Sequence, residues 1–289
     1  MRRCTGRSSH ACPTWAADIG RLDAELVARG LARSRGEARD LVAEGLVSVG
    51  GATATKPSRA VGPDDELTVT TTGPRWVGRA AHKLVAALDT WEGEGLRVEG
   101  RRCVDVGAST GGFTQVLLSR GAGGVVAVDV GHGQLAPELA NDPRVEERSG
   151  TTIRGLTSAD LGGPADLVVT DLSFISLTLV LGDLAGLMGE GSDLVALVKP
   201  QFEVGRGRLN NQGVVTSDRD RTRAVLAVVE ALATAGLHVH GIRTSPISGT
   251  TGNTEYLLWA RSDPSDTMSP DRVRDLVRAT TADTTGGRR

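Results

Sequence analysis

The sequence predicts an α/β fold in which a doubly wound, mainly parallel sheet follows a small α+β domain. The first observation is a glycine-rich turn, residues 107–112, between an apolar run that contains Asp105 and a helical pattern that begins near Phe113. Strand, glycine turn and helix in this order form a cradle for a nucleotide-type cofactor. The second observation is that apolar strand patterns alternate with helical patterns as far as residue 261, which favours parallel strands joined by helices.

Length and composition are those of a globular chain without a membrane span. The 289 residues suit one large or two smaller domains, and the formal net charge of −2 does not by itself indicate a nucleic-acid-binding protein. No apolar run approaches the roughly 20 residues of a membrane helix, and residues 1–18 lack the apolar stretch of a secretory signal. Cys4, Cys12 and Cys103 lack zinc-binding spacing, so we expect a cytoplasmic protein that requires no metal.

Residues 19–72 predict a small domain of two helices and short strands. Gly30 is expected to end the first helix, and Ser34 to cap the second with Glu37 three residues later. Gly50-Gly51 then lies between two alternating segments, which indicates a two-residue hairpin turn.

Basic residues in and after this region suggest an RNA surface. The candidate RNA-binding residues are Arg21, Arg33, Arg35, Arg39, Lys56 and Arg79. They could present positive charge to a phosphate backbone, or form a solvated face that is balanced by nearby acids such as Asp23 and Glu37. The segments RLDAEL, SRGEA, GLVSV and KPS resemble the S4 RNA-binding domain, and this resemblance favours RNA.

The rest of the chain carries the alternating pattern. Strands are predicted at 102–108, 125–130, 145–149, 167–173, 194–200, 238–247 and 255–261, and helices at 80–91, 111–121, 133–140, 175–189 and 217–236. A closing pair of strands of this kind is typical of the Rossmann-like sheet of S-adenosylmethionine-dependent methyltransferases.

These patterns also set the expected domain limits. We predict a disordered tail over 1–18, the small domain over 19–72, a linker over 73–79, the α/β domain over 80–262, and a C-terminal tail over 263–289 with one short helix near 270–279.

The expected cofactor site follows the first two strands of the sheet. Its predicted residues are Asp105, Gly107, Ala108, Ser109, Gly111, Gly112, Phe113, Asp129 and Val130. An acid at the end of the second strand, here Asp129, generally accepts hydrogen bonds from the ribose hydroxyls of a bound nucleotide.

Four polar residues lie at strand ends or in an adjacent helix, where such sheets bind ligands: Lys83, Asp171, Lys199 and Glu255. Only three lysines occur in the chain, and two of them belong to this set. A desolvated lysine can have a lowered pKa and accept a proton, whereas a guanidinium effectively cannot. The alternative interpretation is a pair of ordinary salt bridges at the sheet edge.

Most of the chain, from about residue 19 to 261, resembles one family, the S4-domain ribosomal RNA ribose 2′-O-methyltransferases with an FtsJ-like catalytic domain. The matching segments are RAAHKL, DVGASTGGFTQVLL, AVDVGHGQL, DLVVTDLSFISL, LVKPQFEVGRG and GNTEYLLW. The resemblance implies a catalytic tetrad of Lys83, Asp171, Lys199 and Glu255, S-adenosylmethionine as cofactor, and a cytidine 2′-hydroxyl in 16S or 23S ribosomal RNA as substrate. Ala80-Ala81 and residues 148–154 depart from the usual pattern of the family.

Two other functions stay open from the sequence. A membrane-active, haemolysin-like protein is one, because proteins of this family often carry that name. A non-catalytic RNA-binding factor for ribosome assembly is the other. The first should show a transmembrane run or a long amphipathic basic helix, and the sequence shows neither.

Overall fold

The computed structural model describes residues 19–70, 75–265 and 267–282, and the chain divides into two compact units between Arg75 and Trp76. Three predictions lie wholly or partly outside the described residues: the tail over 1–18, the first part of the linker at Gly73 and Pro74, and the end of the C-terminal tail.

Within residues 19–70, the first unit contains two helices and five short strands. Its elements are β1 Gly20–Arg21, α1 Leu22–Ala28, α2 Arg35–Ala43, β2 Val47–Val49, β3 Ala52–Thr53, β4 Ala60–Val61 and β5 Leu67–Val69. Strand β2 pairs antiparallel with β3 and β5, and β1 pairs antiparallel with β4. Leu22, Leu26 and Val42 belong to the apolar core between these elements.

Local signals in the sequence explain these elements. The Ser34 hydroxyl accepts a hydrogen bond from the Glu37 backbone N–H at 3.1 Å and so caps α2. The Glu37 carboxylate accepts one from the Arg33 backbone N–H rather than from that of Ser34. Gly50 and Gly51 both have positive φ, +59° and +79°, which the two-residue turn between β2 and β3 requires.

The second unit is a seven-stranded sheet with helices. Its elements are α3 Ala81–Trp91, β6 Arg102–Val106, α4 Gly112–Ser119, β7 Gly124–Asp129, α5 Pro137–Ala140, β8 Val145–Ser149, β9 Ala165–Thr170, α6 Leu181–Gly186, β10 Met188–Val198, α7 Pro200–Glu203, α8 Asp218–Thr234, β11 His238–Thr244, β12 Tyr256–Arg261 and α9 Pro270–Ala282. Apolar side chains pack in two separate clusters around this sheet.

The strand order places the carboxyl ends of the central strands side by side. The order is β11-β12-β10-β9-β6-β7-β8; β12 pairs antiparallel with β11 and β10, and the other neighbouring strands pair parallel. The chain moves outward from β6 in one direction through β7 and β8, and in the other through β9 and β10. A crevice forms outside the carboxyl ends where the direction reverses, and ligands bind there in open α/β sheets.

Three segments differ from the sequence prediction. The helix predicted over 175–189 is shorter, because α6 ends at Gly186 and β10 begins at Met188 with a register shift before Asp193. The start of β10, MGEGSD, contains two glycines and polar residues and therefore lacks a strand pattern. The helix predicted over 133–140 is confined to α5, which begins at a proline.

Helix α9 corrects the interpretation of residues 263–289 as a tail. It is longer than the short helix predicted near 270–279, and Val273 and Val277 are buried in an apolar cluster of the second unit. Helix α9 is therefore integral to the α/β unit. None of the helices in the described ranges is long and apolar enough to cross a membrane.

Candidate active site

The four tetrad residues meet at one edge of the sheet. Asp171 directly follows β9 and Lys199 directly follows β10. Glu255 directly precedes β12, which runs antiparallel to β10 and therefore starts at the edge where β10 ends. Lys83 reaches the same place from the first turn of α3. The topology therefore brings together residues that are 28 to 172 positions apart in the chain.

The four side chains form one buried chain of opposite charges. The Lys83 Nζ lies 3.0 Å from Asp171 Oδ2 and 2.7 Å from Glu255 Oε2, and the Lys199 Nζ lies 2.7 Å from Asp171 Oδ1. Lys83, Lys199 and Glu255 are each at most 6% exposed. Two ammonium groups and two carboxylates balance, which offsets the cost of removing each charge from water.

Burial and charge act in opposite directions on these groups. Burial lowers the pKa of Lys83, but the carboxylates of Asp171 and Glu255 outweigh it and leave that pKa above its ordinary value. Burial raises the pKa of Asp171, but the two lysines outweigh it and leave that pKa below its ordinary value. The sequence alone is compatible with a desolvated lysine whose pKa is lowered, but the pKa of Lys83 is raised.

Two adjoining cavities lie beside the tetrad. A cleft of about 790 Å³ is lined by all four tetrad residues and by the glycine-rich turn. A smaller cavity of about 300 Å³ lies between the end of β7 and the segment after β9. Gly107, Ser109 and Asp171 line both, so Asp171 is the tetrad residue that lies at the boundary between the two spaces.

Seven of the nine predicted cofactor residues line these spaces. Gly107, Ser109, Asp129 and Val130 line the smaller cavity, and Gly107, Ala108, Ser109, Gly112 and Phe113 line the cleft. Gly107 has φ +87°, and a Cβ on it would lie 3.2 Å from Leu172 Cδ2. A side chain there would strain the turn and crowd the segment that carries Asp171.

Asp129 connects the end of β7 to the glycine-rich turn. Its Oδ2 accepts a hydrogen bond from the Ser109 backbone N–H at 2.8 Å, and its Oδ1 accepts one from the Gly131 backbone N–H at 2.7 Å. Each carboxylate oxygen has a further lone pair with which to accept a hydroxyl. A glycine-rich turn, a carboxylate at the second strand end and an adjacent cavity fit an adenosine-containing cofactor.

Gly111 and Asp105 line neither cavity. A Cβ on Gly111 would lie 2.3 Å from Leu139 Cδ1, so this glycine permits close packing of α5. The Asp105 Oδ2 accepts hydrogen bonds from the Thr114 backbone N–H and hydroxyl at 2.9 and 2.7 Å. Its prediction as a direct cofactor ligand is corrected, because the buried carboxyl faces the start of α4 and orders the turn.

The Asp105 carboxyl is also under electrostatic strain. It is 1% exposed, and its Oδ1 has no hydrogen-bond partner among the residues that the structure describes. Burial raises the pKa of Asp105 to about 7, although the hydrogen bonds from Thr114 act to lower it. The carboxyl therefore takes up its proton near neutral pH.

Sequence reasoning missed two polar residues of this edge. The Lys199 Nζ donates a hydrogen bond to the Ser173 hydroxyl at 2.8 Å. The Glu203 carboxylate accepts hydrogen bonds from the Ser176 hydroxyl and from the Leu177 backbone N–H. Ser173 lies two residues after Asp171, and Glu203 lies four residues after Lys199. Their closeness in sequence to tetrad residues could have identified them as candidates.

The predicted RNA-binding residues lie in different environments. Arg21 and Arg35 each lie 3.0 Å from the buried carboxylate of Asp23, and Arg33 lies 3.1 Å from Glu37. These pairings correspond to the charge-balanced alternative, although all three guanidinium groups keep substantial exposure.

The other three predicted RNA-binding residues, Arg39, Lys56 and Arg79, differ from one another in their contacts and exposure. The Arg39 Nε donates to the Arg35 carbonyl at 3.0 Å, and Lys56 is exposed. Arg79 belongs to the second unit and lines the larger cleft beside the tetrad, called the catalytic cleft below. Its guanidinium donates a hydrogen bond to the Thr250 hydroxyl at 2.8 Å. Over the described ranges, no group of three or more His, Cys, Asp or Glu side chains is placed to hold a metal ion.

Comparisons with known proteins agree with this architecture. The family model of FtsJ-like methyltransferases matches residues 76–262, and that of the S4 domain matches residues 20–67. The 16S/23S rRNA (cytidine-2′-O)-methyltransferase TlyA of Mycobacterium tuberculosis is 52% identical over 89% of this chain and 95% of that protein. Hemolysin A of Brachyspira hyodysenteriae is 34% identical over 82% of this chain and 98% of that protein. A solved structure of a Streptococcus thermophilus protein described as a hemolysin superimposes with a TM-score of 0.72 at 34% identity, covering 94% of this chain and 98% of that one.

The raised pKa of Asp105 predicts a pH-dependent stability. Between its ordinary value of 3.8 and about 7, the folded chain retains a proton that the unfolded chain has lost. The stabilising contribution of Asp105 is therefore complete below pH 3.8 and is lost as the pH rises through about 7. Thermal unfolding from pH 5 to 8 should show that wild type loses more stability than Asp105→Asn. The exposed Asp275→Asn serves as control, and parallel curves for wild type and Asp105→Asn would contradict the assignment.

Proposed function

The chain belongs to the FtsJ-like methyltransferase family, and we propose that it transfers a methyl group from S-adenosylmethionine to a cytidine 2′-hydroxyl of 16S or 23S ribosomal RNA. The observation that carries the proposal is the buried tetrad of Lys83, Asp171, Lys199 and Glu255, which lines the larger of two cavities and reaches the smaller one at Asp171. One cavity has the lining of a cofactor site, and the other is large enough for a nucleotide.

The chemistry requires this arrangement because a protonated ribose hydroxyl is a poor nucleophile. When bound, the cofactor supplies a methyl group that its sulfonium centre has already activated. The protein therefore has to hold the hydroxyl in line and accept its proton, and positioning is usually the larger contribution. A lysine of the tetrad can accept that proton only as a neutral amine, and the accepted proton then completes a cluster of two ammonium groups and two carboxylates without net charge.

Lys83 and Lys199 have different contacts and therefore different roles in the proposed methyl transfer. Lys83 contacts two carboxylates, and its raised pKa keeps it an ammonium that orients Asp171 and Glu255. Lys199 contacts one carboxylate and one neutral hydroxyl. We therefore assign Lys199 to the substrate hydroxyl and its proton, and Lys83 to fixing the carboxylates.

The cofactor would occupy the smaller cavity. Asp129 at the end of β7 would bind the ribose hydroxyls of the cofactor, and Gly107, Ser109 and Val130 would form the wall around it. The absence of a side chain at Gly107, where a Cβ would contact Leu172, lets the turn pack closely against the segment that follows β9 and so shapes this cavity.

The first unit would supply affinity for ribosomal RNA. Its match to the S4 domain and its exposed arginines support this role, with ribosomal subunits as partners in the cytoplasm. A 2′-hydroxyl distinguishes RNA from DNA, and a nucleotide buried at the tetrad would have to be splayed out from its stack. An assembly factor without catalytic activity would bind the same RNA but transfer no methyl group.

Replacing Lys199 tests the assignment of the tetrad. Lys199→Ala should abolish methyl transfer from labelled S-adenosylmethionine to isolated ribosomal subunits, because the group that accepts the proton is lost. Cofactor binding, measured by calorimetry, should be nearly unchanged because the cofactor residues lie on other elements. Lys199→Arg should also be inactive if Lys199 accepts a proton, since a guanidinium effectively cannot lose one. Wild-type turnover by Lys199→Ala would refute the assignment.

Replacing two arginines tests the RNA surface. Arg33→Gln combined with Arg35→Gln should weaken binding to ribosomal RNA and reduce the slope of log affinity against log salt by about 0.7–0.9 for each lost phosphate contact. Filter binding over a potassium chloride series measures both quantities. Arg272→Gln combined with Arg274→Gln on α9 is the matched control and should leave the slope unchanged. A wild-type slope in the first double variant would place the RNA surface elsewhere.

A further inference from the structure

We infer that Ser173 is a positioning residue that aims the Lys199 amine at the substrate hydroxyl, an inference that rests on the proposed methyl transfer. The Ser173 hydroxyl lies 2.8 Å from the Lys199 Nζ and accepts its hydrogen bond. Ser173 lines both the catalytic cleft and the cofactor cavity, and it is exposed at their boundary.

The contacts that the Lys199 Nζ already makes limit where a substrate hydroxyl can reach it. An ammonium group has three N–H bonds. At Lys199 one partner is Asp171 Oδ1 at 2.7 Å and a second is the Ser173 hydroxyl at 2.8 Å. The hydrogen bond to Ser173 and the ion pair with Asp171 together restrict the direction from which a third partner can approach the Nζ. Since Asp171, Ser173 and Lys199 all line the cleft, that direction sets where a substrate hydroxyl can meet the amine.

A hydroxyl suits this position better than a second carboxylate. It orients the amine in both protonation states, because it accepts from an N–H and carries no charge of its own. A carboxylate in its place would favour the ammonium form and oppose release of the proton. Lys83, which contacts two carboxylates and has a raised pKa, illustrates that second situation in the same cluster.

The segment that carries Ser173 is itself fixed. Glu203 of α7 accepts hydrogen bonds from the Ser176 hydroxyl and from the Leu177 backbone N–H at 2.9 Å. The rings of Phe174 and Phe202 pack with their centroids 5.5 Å apart. The segments that follow β9 and β10 are therefore joined at two further points, which limits how far Ser173 can move from Lys199.

Three substitutions of Ser173 distinguish a role in positioning the Lys199 amine from a purely structural role. Ser173→Ala removes the acceptor and should lower kcat for methyl transfer by about 10- to 100-fold, the range expected for a hydrogen bond to a charged group. The KM for S-adenosylmethionine should stay within about twofold, because Gly107, Asp129 and Val130 of the cofactor cavity are unchanged. Ser173→Thr keeps the hydroxyl and should restore most of kcat. Ser173→Asp keeps an acceptor but adds charge, and should be as impaired as Ser173→Ala or more so.

Steady-state methyl transfer to isolated ribosomal subunits measures these effects, with Ser119→Ala on α4 as the matched serine control. A wild-type kcat in Ser173→Ala, or a Ser173→Thr variant as impaired as Ser173→Ala, would overturn the role of Ser173 while leaving the proposed function in place. Absence of transfer by the wild-type protein would instead overturn the proposed function, and this inference with it.

Discussion

The balance of charge among Lys83, Asp171, Lys199 and Glu255 is the constraint on which the catalytic edge depends. Four ionisable groups that are nearly excluded from water are tolerated only because each has an opposite charge within 3.0 Å. Asp171 lies at the centre of this chain and contacts both lysines. Loss of either lysine would leave carboxylates without full compensation, so the cluster acts as one unit rather than as two separate ion pairs.

The sheet places this cluster where it can serve a cofactor. Strands β6 and β9 are neighbours at the point where the chain direction reverses, so the Gly107 turn lies beside the segment that follows Asp171. Asp129 holds the turn from the next strand through the Ser109 backbone. The Gly107 turn therefore forms one wall of the cofactor cavity and also packs beside Asp171 of the tetrad. This arrangement would hold the methyl donor close to the hydroxyl that accepts the methyl group.

The sequence predicted the residues of the site better than their roles. The predicted strands placed Asp171, Lys199 and Glu255 close together, because the ends of neighbouring strands lie at one edge of the sheet regardless of the loops that join them. The role of Asp105 was wrong because a strand pattern does not reveal which way a buried side chain turns. The pairing of Arg35 with Asp23 and the contact of Ser173 with Lys199 depend on side-chain positions between distant elements. Periodicity and spacing carry no information about either.

The identity of the methylated nucleoside tests the central claim most directly. Ribosomal subunits treated with the wild-type protein and labelled S-adenosylmethionine would be digested to nucleosides, which mass spectrometry would then identify. A cluster built to accept the proton of a ribose hydroxyl predicts 2′-O-methylcytidine, and no label on a substrate whose target cytidine lacks the 2′-hydroxyl. A methyl group on the base, or labelling of the 2′-deoxy substrate at that position, would contradict the account.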